Sequence, residues 1–334
     1  MAAMSVLKPA SMCIFLALGT AALSTAAHAQ TRPQQADFPN KAIRLVVPYF
    51  PGGTPDIQGR LLAEKLRERF GQPVVVDNRP GANASIGMGL VAKAPADGYT
   101  MVIAPVGPWA VNPHMYKLSY DVFKDFAPII HVSTSPGVLA VHPSVPAKTV
   151  AELIDLARAR PGALNYGSTG VGGFGHISGE LFNLMADVKM THVPHKSVAA
   201  ALTSLAGGHI QLSINVAATT LPHIQSGRIR ALAVTSATRV DTFPDLPTIS
   251  EAGVPGYENS TWNALAVPAG TPRPVIATLN REIAAILKMP DVRQAMHRDG
   301  AIVTGGTPEE FTTQLRAEFT KFGKLIKQAG IKYE

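Results

Sequence analysis

Short apolar runs rich in β-branched residues alternate with amphipathic stretches along most of this chain. Ile43 to Val47, Val74 to Val76, Thr100 to Ile103, Ile129 to Val132 and Val138 to Val141 have strand length and are bounded by turn-forming residues such as Ala96-Asp97-Gly98. After the first run, Ile57, Leu61, Leu62, Leu66 and Phe70 recur at helical spacing, which predicts a helix with that face in the core. A second alternating set follows: helix Val150 to Arg158, strand Leu164 to Tyr166, helix His176 to Ala186, strand Met190 to Val193, helix Ala199 to Ala206, strand Ile210 to Asn215, helix Leu221 to Ser226 and strand Leu232 to Thr235. Beyond the Pro/Gly-rich stretch Phe243 to Tyr257 come strand Ala264 to Val267 and three helices, Pro274 to Leu287, Val292 to Arg298 and Pro308 to Ala329. Alternation of this kind predicts an α/β fold with parallel sheets. No repeat of solenoid period is visible.

Three of these strand-to-helix passages share a device. Pro48 to Asp56 (PYFPGGTPD), Asn78 to Ser85 (NRPGANAS) and Gly167 to Gly175 (GSTGVGGFG) each place a Gly-rich turn between an apolar run and a helix. Such turns lack Cβ atoms, and the unpaired N–H groups and positive dipole end of the new helix point at whatever the turn surrounds. Three of them in one chain predict a pocket for a small anion.

The final segment supplies only one or two strands, so it is expected to complete the first lobe rather than build a third. This gives lobe 1 at residues 30–134 and 262–334, lobe 2 at 135–261, and two chain crossings between them. Roughly 300 residues also exceed what one core usually covers.

The first residues set the compartment. Lys8 gives a positive start, Met12 to Leu23 is an apolar run, and Ala27-His28-Ala29 is a small-x-small site before Gln30, so residues 1–29 are expected to be a cleaved signal peptide. The run is short of the ~20 residues a membrane anchor needs. Cys13 opens it without the Leu-Ala-Gly context of a lipoprotein, and it is the chain's only cysteine, so the exported protein would be held by its core without disulfides. Removing residues 1–29 takes away one Lys and no acid, which lowers the formal charge from +7 to +6. This mild excess can steer acidic solutes. It is scattered and not interleaved with aromatics, so no nucleic-acid partner is expected.

Gly170-Val171-Gly172-Gly173-Phe174-Gly175 fits the dinucleotide fingerprint GxGxxG between strand and helix. A nucleotide site would want an acidic residue after the next strand, where this chain has Pro194, His195 and Lys196, so no cofactor is expected. There is no Walker lysine, HExxH or metal-spaced Cys/His set, and Tyr166 stands where a nucleophile elbow needs glycine. The sequence offers no catalytic constellation.

Ten blocks, PYFPGGTPD, VVVDNRPGANASIG, ADGYT, NPHMY, YDVFKDFAPI, HVPHK, SGRIRALAVTSATR, FPDLPTISEAGVPGYE, VPAGTP and GGTPEEF, run in order from about Phe38 to the C-terminus. In identity, order and spacing they resemble the Bug receptors of tripartite tricarboxylate transporters. The resemblance implies a two-lobe periplasmic binding protein of the Venus-flytrap, type II-like kind with a double interdomain crossover. It also implies a carboxylate solute in the cleft and delivery to the large and small integral-membrane subunits of an ion-driven transporter. The chain is expected to act as a monomer and not as an enzyme. An α/β enzyme acting on a small anion and an input to a sensor kinase are the alternatives.

The candidate ligand-binding residues follow the three turns. The first offers Tyr49, Phe50, Pro51, Gly52, Gly53 and Asp56, with an N-cap role for Asp56 as the rival reading. The second offers Arg79 at the rim and the Gly81, Ala82, Asn83, Ala84 and Ser85 backbone. The third offers Ser168, Thr169, Gly170 and Gly172, with His176 orienting the loop. Pro105 and Val106 would form an apolar wall, while His195, Lys196 and Asn215 sit at the carboxyl edge of the second set of strands. Relatives often show Pro-Tyr-Lys-Gly where this chain has Pro194 to Ser197, an aspartate at Asn215, and small polar residues at Pro105 and Val106. These departures point away from an amino acid and toward a dicarboxylate with a hydrophobic body, aromatic bodies such as a phthalate isomer included.

Mature protein is expected to begin at or near Gln30. Mass spectrometry of periplasmic material checks this, and recovery of the intact chain from Met1 in the cytoplasm would overturn it.

Overall fold

The computed structural model describes residues 38–298 and 300–331; the expected signal peptide and its cleavage site lie outside them. In chain order, β1 (Ile43–Val47) feeds α1 (Thr54–Phe70), β2 (Val74–Asn78) feeds α2 (Ser85–Ala92), and β3 (Thr100–Pro105) feeds a π-helical turn, Gly107–Val111, and a 3-10 turn, Asn112–His114. Then come β4 (Phe126–Val141), α3 (Val150–Ala159), β5 (Asn165–Ser168), α4 (Phe174–Ala186), β6 (Thr191–Pro194), α5 (Val198–Ala206), β7 (Leu212–Val216), α6 (Ala217–Gln225) and β8 (Arg230–Val234). A long loop leads to β9 (Ser260–Pro268), α7 (Arg273–Leu287), α8 (Pro290–Arg298), β10 (Ile302–Gly305) and α9 (Pro308–Gln328).

The strands are ordered β2-β1-β3-β9-β4-β7-β5-β6, with β10 and β8 also paired to β4. β4 therefore belongs to two half-sheets. Its residues from Phe126 to Pro136 run antiparallel to β9, while Gly137 to Val141 run antiparallel to β7. The β1-β2, β1-β3, β5-β6 and β5-β7 pairs are parallel, but every pairing of β4 and β9 is antiparallel. The expectation of parallel sheets is corrected accordingly: each half-sheet is mixed, because β9 returns into the first and β4 runs on into the second from the opposite half rather than through a helical crossover.

The two runs Ile129–Val132 and Val138–Val141, expected as separate strands, are one strand. Ser135-Pro136-Gly137 reads as a turn, yet Pro136 falls where β4 exchanges partners, so its missing N–H removes little from either ladder. The edge strand β10 went unpredicted; it is four residues of alternating exposure. The core face of α1 also differs from the expected one. Ile57 is 42% exposed, and the buried stripe is Pro55, Asp56, Gln58, Gly59, Leu62, Ala63 and Leu66. Gly59 explains the rotation, since a Cβ there would lie 3.3 Å from both Ile103 and Val47, so the helix approaches β1 and β3 through a glycine.

Leu45, Val47, Leu62, Leu66, Ile103, Leu265 and Ile283 fill the core under α1 and α7. On the opposite face α9 lays Phe311, Leu315 and Phe322 against a cluster built around Trp109, whose indole N–H donates to the Ala104 carbonyl at 3.2 Å. A capping box of Thr307 and Glu310 starts α9.

The two passages between half-sheets are tied at one residue. The Gly137 N–H donates to Thr235 Oγ1 at 2.7 Å, and the Thr235 N–H donates to the Gly137 carbonyl at 2.9 Å. The Asn259 N–H donates to the Thr235 carbonyl at 2.9 Å just before β9 begins. Thr235→Val keeps shape but leaves the buried Gly137 N–H without its acceptor. It should cost about 1–3 kcal/mol, read as a lower urea midpoint with an unchanged slope.

Candidate functional site

The turn from β1 to α1 is shaped by Gly52 at φ +89°, a left-handed conformation, followed by Gly53 in an extended N-cap conformation. Asp56 is buried and faces inward. Its carboxylate accepts from the Gly52 N–H at 2.9 Å and from Asn78 Nδ2 at 2.9 Å, and it pairs with Arg60 at 3.0 Å. Burial alone would raise its pKa, but the hydrogen bonds from Arg60, Gly52 and Asn78 hold it below the usual carboxylate range. Asp56 thus fixes the turn from behind and consumes the Gly52 N–H. Gly53 and Thr54 line a cavity at the positive end of α1, and among the described residues their N–H groups carry no hydrogen bond that ties them back.

The turn from β2 to α2 is a left-handed run: Gly81, Ala82, Asn83 and Ala84 have φ of +121°, +46°, +49° and +74°. Each non-glycine residue in that region costs about 1–2 kcal/mol, and such strain collects at ligand clamps. The run is held by Asn112, whose Nδ2 donates to the Asn83 carbonyl at 2.7 Å, and by Tyr116, whose hydroxyl accepts from Asn83 Nδ2. Asn83 of this turn lines a cavity; Arg79 pairs with Asp77 at 2.9 Å, and the Ser85 N–H bonds the Ala82 carbonyl at 3.0 Å.

In the turn from β5 to α4, Ser168 is fully buried and bonded to Gly170 and, at 2.6 Å, to His192 Nε2. A hydroxyl in that position cannot meet a substrate, so the Ser-His contact braces the loop. His176 Nδ1 accepts from the Gly172 N–H at 3.0 Å and its ring stacks on His192 at 4.0 Å, with Tyr166 5.1 Å from His192. Thr169 and Gly172 are left on the cavity side. Burial holds the His176 imidazole down at about 4, with the neighbouring His192 adding to it; burial and His195 do the same for His192, also about 4.

Two compartments lie between the half-sheets. One, about 330 Å³, is bounded by Asn83, Val106, Asn112, Tyr116, Thr169, Gly172, Asn259 and Phe322. The other, about 770 Å³, is bounded by Phe50 to Pro55, Val198, Leu202, Thr219, His223 and Asn263. Tyr49, Pro105, Phe174 and Thr261 border both. Among the described residues no Lys, Arg, Asp or Glu lines either compartment.

Of the residues expected at the site, Tyr49, Phe50, Pro51, Gly52, Gly53, Asn83, Val106, Thr169 and Gly172 line this cleft. Asp56, Ser168 and His176 stand behind its turns, and Arg79, Gly81, Ala82, Ala84, Ser85 and Gly170 do not line it. His195 bonds the Val193 carbonyl, Lys196 is exposed beyond the lining, and Asn215 is buried against Ser213. Sequence reasoning missed Asn112, Phe174, Asn259 and Thr261. Asn112 sits in the NPHMY block, and Phe174 inside the glycine loop, so both had a signal; Asn259 and Thr261 had none.

Residues 59–331 match the profile of the family described as tripartite tricarboxylate transporter family receptor. Protein BugT of Bordetella pertussis is 35% identical over 303 residues, covering 90% of this chain and 93% of BugT. The solved structure of Rhodopseudomonas palustris Rpa4515 with adipate is 41% identical, with TM-score 0.79 over 89% of this chain and 99% of its own. MatC of the same organism, with bound malate, is 28% identical, with TM-score 0.74 over 86% of this chain and 100% of its own. The fold is accordingly that of the two-lobe periplasmic binding proteins with a double crossover.

The buried histidines give a pH signature. The unfolded chain protonates near 6.5 and folded His176 and His192 near 4. Stability is therefore complete above pH 6.5 and falls as pH drops toward 4, because the unfolded state binds protons first. Each unit of depression is worth about 1.4 kcal/mol. His131, also held at about 4 by burial, contributes in the same direction. Melting temperature should fall across this window, and His192→Gln should flatten the slope; an unchanged slope would exclude the pair as its source.

Proposed function

The chain belongs to the tripartite tricarboxylate transporter receptor family, and from that membership we propose that it binds a small dicarboxylate with a hydrophobic body in the periplasm and hands it to paired membrane subunits. The observation that carries the ligand class is the cleft lining. Uncharged donors, the Gly53 and Thr54 N–H groups on one side and Thr169, Asn83 and Asn112 on the other, converge on it without any Lys, Arg, Asp or Glu. Amide dipoles at a helix start complement an anion without a permanent charge of the protein's own, so the solute can leave again when the cleft opens. A cationic or zwitterionic solute would find no acid to pair its ammonium group.

Apolar walls separate the donors. Val106, Val111, Ile177 and Phe322 line the smaller compartment, and Val198 and Leu202 the larger one, which suits a hydrocarbon body. Adipate and malate, found with two R. palustris relatives, are both dicarboxylates. The two lobes, residues 30–134 with 262–334 and residues 135–261, would close about the Pro136-Gly137 and Asn259-Ser260 crossings. Catalysis is not part of this reading, because Ser168 and His192 are spent on bracing a loop.

A thermal-shift screen of mono-, di- and tricarboxylates on the mature protein tests it. A dicarboxylate at 100 times its Kd should add about 2.7 kcal/mol of stability and be recovered unchanged; stabilisation by none of them would sink the proposal. Gly53→Val is the companion variant. Gly53 has φ −81°, and a Cβ there meets nothing nearer than 3.8 Å, so the fold can accept it. Dicarboxylate affinity should nonetheless fall at least tenfold, about 1.4 kcal/mol; unaltered affinity in this folded variant would remove the turn from the site.

A further inference from the structure

One side chain that borders both compartments of the cleft has an unusual seat. Phe174 opens α4 directly after the N-cap Gly173 and borders both compartments. Behind it lies Gly137, the first residue of β4 to pair with the second half-sheet. A Cβ on residue 137 would sit 2.7 and 2.8 Å from Cε1 and Cζ of the Phe174 ring, and 3.1 Å from Thr235 Oγ1. The ring therefore occupies the space that a side chain at 137 would need. It rests on main chain tied to Thr235 by two hydrogen bonds, 2.7 and 2.9 Å long. A ring backed by a strand cannot retreat from the cleft as a side chain backed by solvent could. Tyr49 and Pro105, supplied by the other half-sheet, and Thr261 border both compartments as well.

We propose that Phe174, seated on Gly137, is the specificity-determining residue of the cleft, and that it selects an unbranched aliphatic chain joining two carboxylates over a planar ring or a branched body. The inference rests on the dicarboxylate reading above. A solute whose two carboxylates engage the donors of both compartments must pass its body along Phe174, Tyr49 and Pro105, the side chains common to the two. A slim polymethylene chain can vary its torsions to pass, whereas a rigid ring presents its full width and would have to displace a side chain that has no room behind it. Discrimination by the shape of an apolar side chain of this kind is worth about 10–200-fold.

Calorimetry on the mature protein tests the assignment with two ligand sets, linear α,ω-dicarboxylates of four to eight carbons and the three phthalate isomers. The native protein should bind its best linear ligand at least tenfold tighter than any phthalate. Phe174→Ala should bring that ratio to within about threefold, mainly by improving phthalate binding, and Phe174→Leu serves if the alanine variant does not fold. Gly137→Ala should drive the ring into the cleft and weaken the linear ligand at least tenfold. The double variant Gly137→Ala/Phe174→Ala should recover that loss, which a purely structural effect at residue 137 would not permit. If Phe174→Ala or Phe174→Leu changes both ligand sets by the same factor, or if the double variant stays as weak as Gly137→Ala, the role of Phe174 is overturned while the dicarboxylate reading stands. A native protein that binds neither set overturns that reading, and this inference with it.

Discussion

The architecture depends on one strand being shared. β4 is sixteen residues long, and it supplies hydrogen bonds to β9 and β10 along its first part and to β7 and β8 along its last. Because the same backbone belongs to both half-sheets, the cleft walls take their spacing from the point where β4 changes partners. Thr235 locks that point by bonding Gly137 through its side chain and main chain and by receiving the return chain at Asn259. A buried threonine thus ties the two chain crossings together at one point.

The site is built on orientation rather than on charge. Asp56, Arg60 and Asn78 form a network behind the first turn, and Ser168, His176 and His192 form another behind the third. Neither network lines the cleft. Each takes up the turn's inward-facing groups, so that the remaining N–H and hydroxyl groups face the cleft with their directions fixed by what packs behind them. Pre-set dipoles bind an anion without reorganising, and their strength grows in a confined space where little water competes. The left-handed run from Gly81 to Ala84 fits the same account, since it holds a costly conformation only because Asn112 and Tyr116 grip Asn83.

Bulky groups complete the cleft. Trp109 anchors the π-helical turn that follows β3, and that turn carries Val111 and Asn112 into the smaller compartment. A single π-helical turn of this sort is frequent at functional sites, because widening the helix re-aims the side chains that follow it.

The sequence by itself determined the element order, the three Gly-rich turns and the family. These are local or colinear properties: strand runs are written in β-branched residues, a turn in its glycines, and a family in the order of its blocks. Tyr49 to Gly53, Asn83, Thr169 and Gly172, which the sequence singled out, do line the cleft, and each lies inside a turn that is readable without neighbours. Only the tertiary structure decided which strands pair, and so it merged Ile129–Val132 with Val138–Val141 and made the half-sheets mixed rather than parallel. It separated residues that look alike in sequence, turning Asp56, Ser168 and His176 to the back of the turns while leaving Thr169 on the cleft side. It also brought in Asn259 and Thr261, which carry no local signal because their role comes from where the return chain re-enters the sheet. The division has one physical reason. Local conformation follows from steric and hydrogen-bonding preferences within a few residues, whereas the side of a turn that faces the solute is fixed by what packs behind it, tens to hundreds of residues away along the chain.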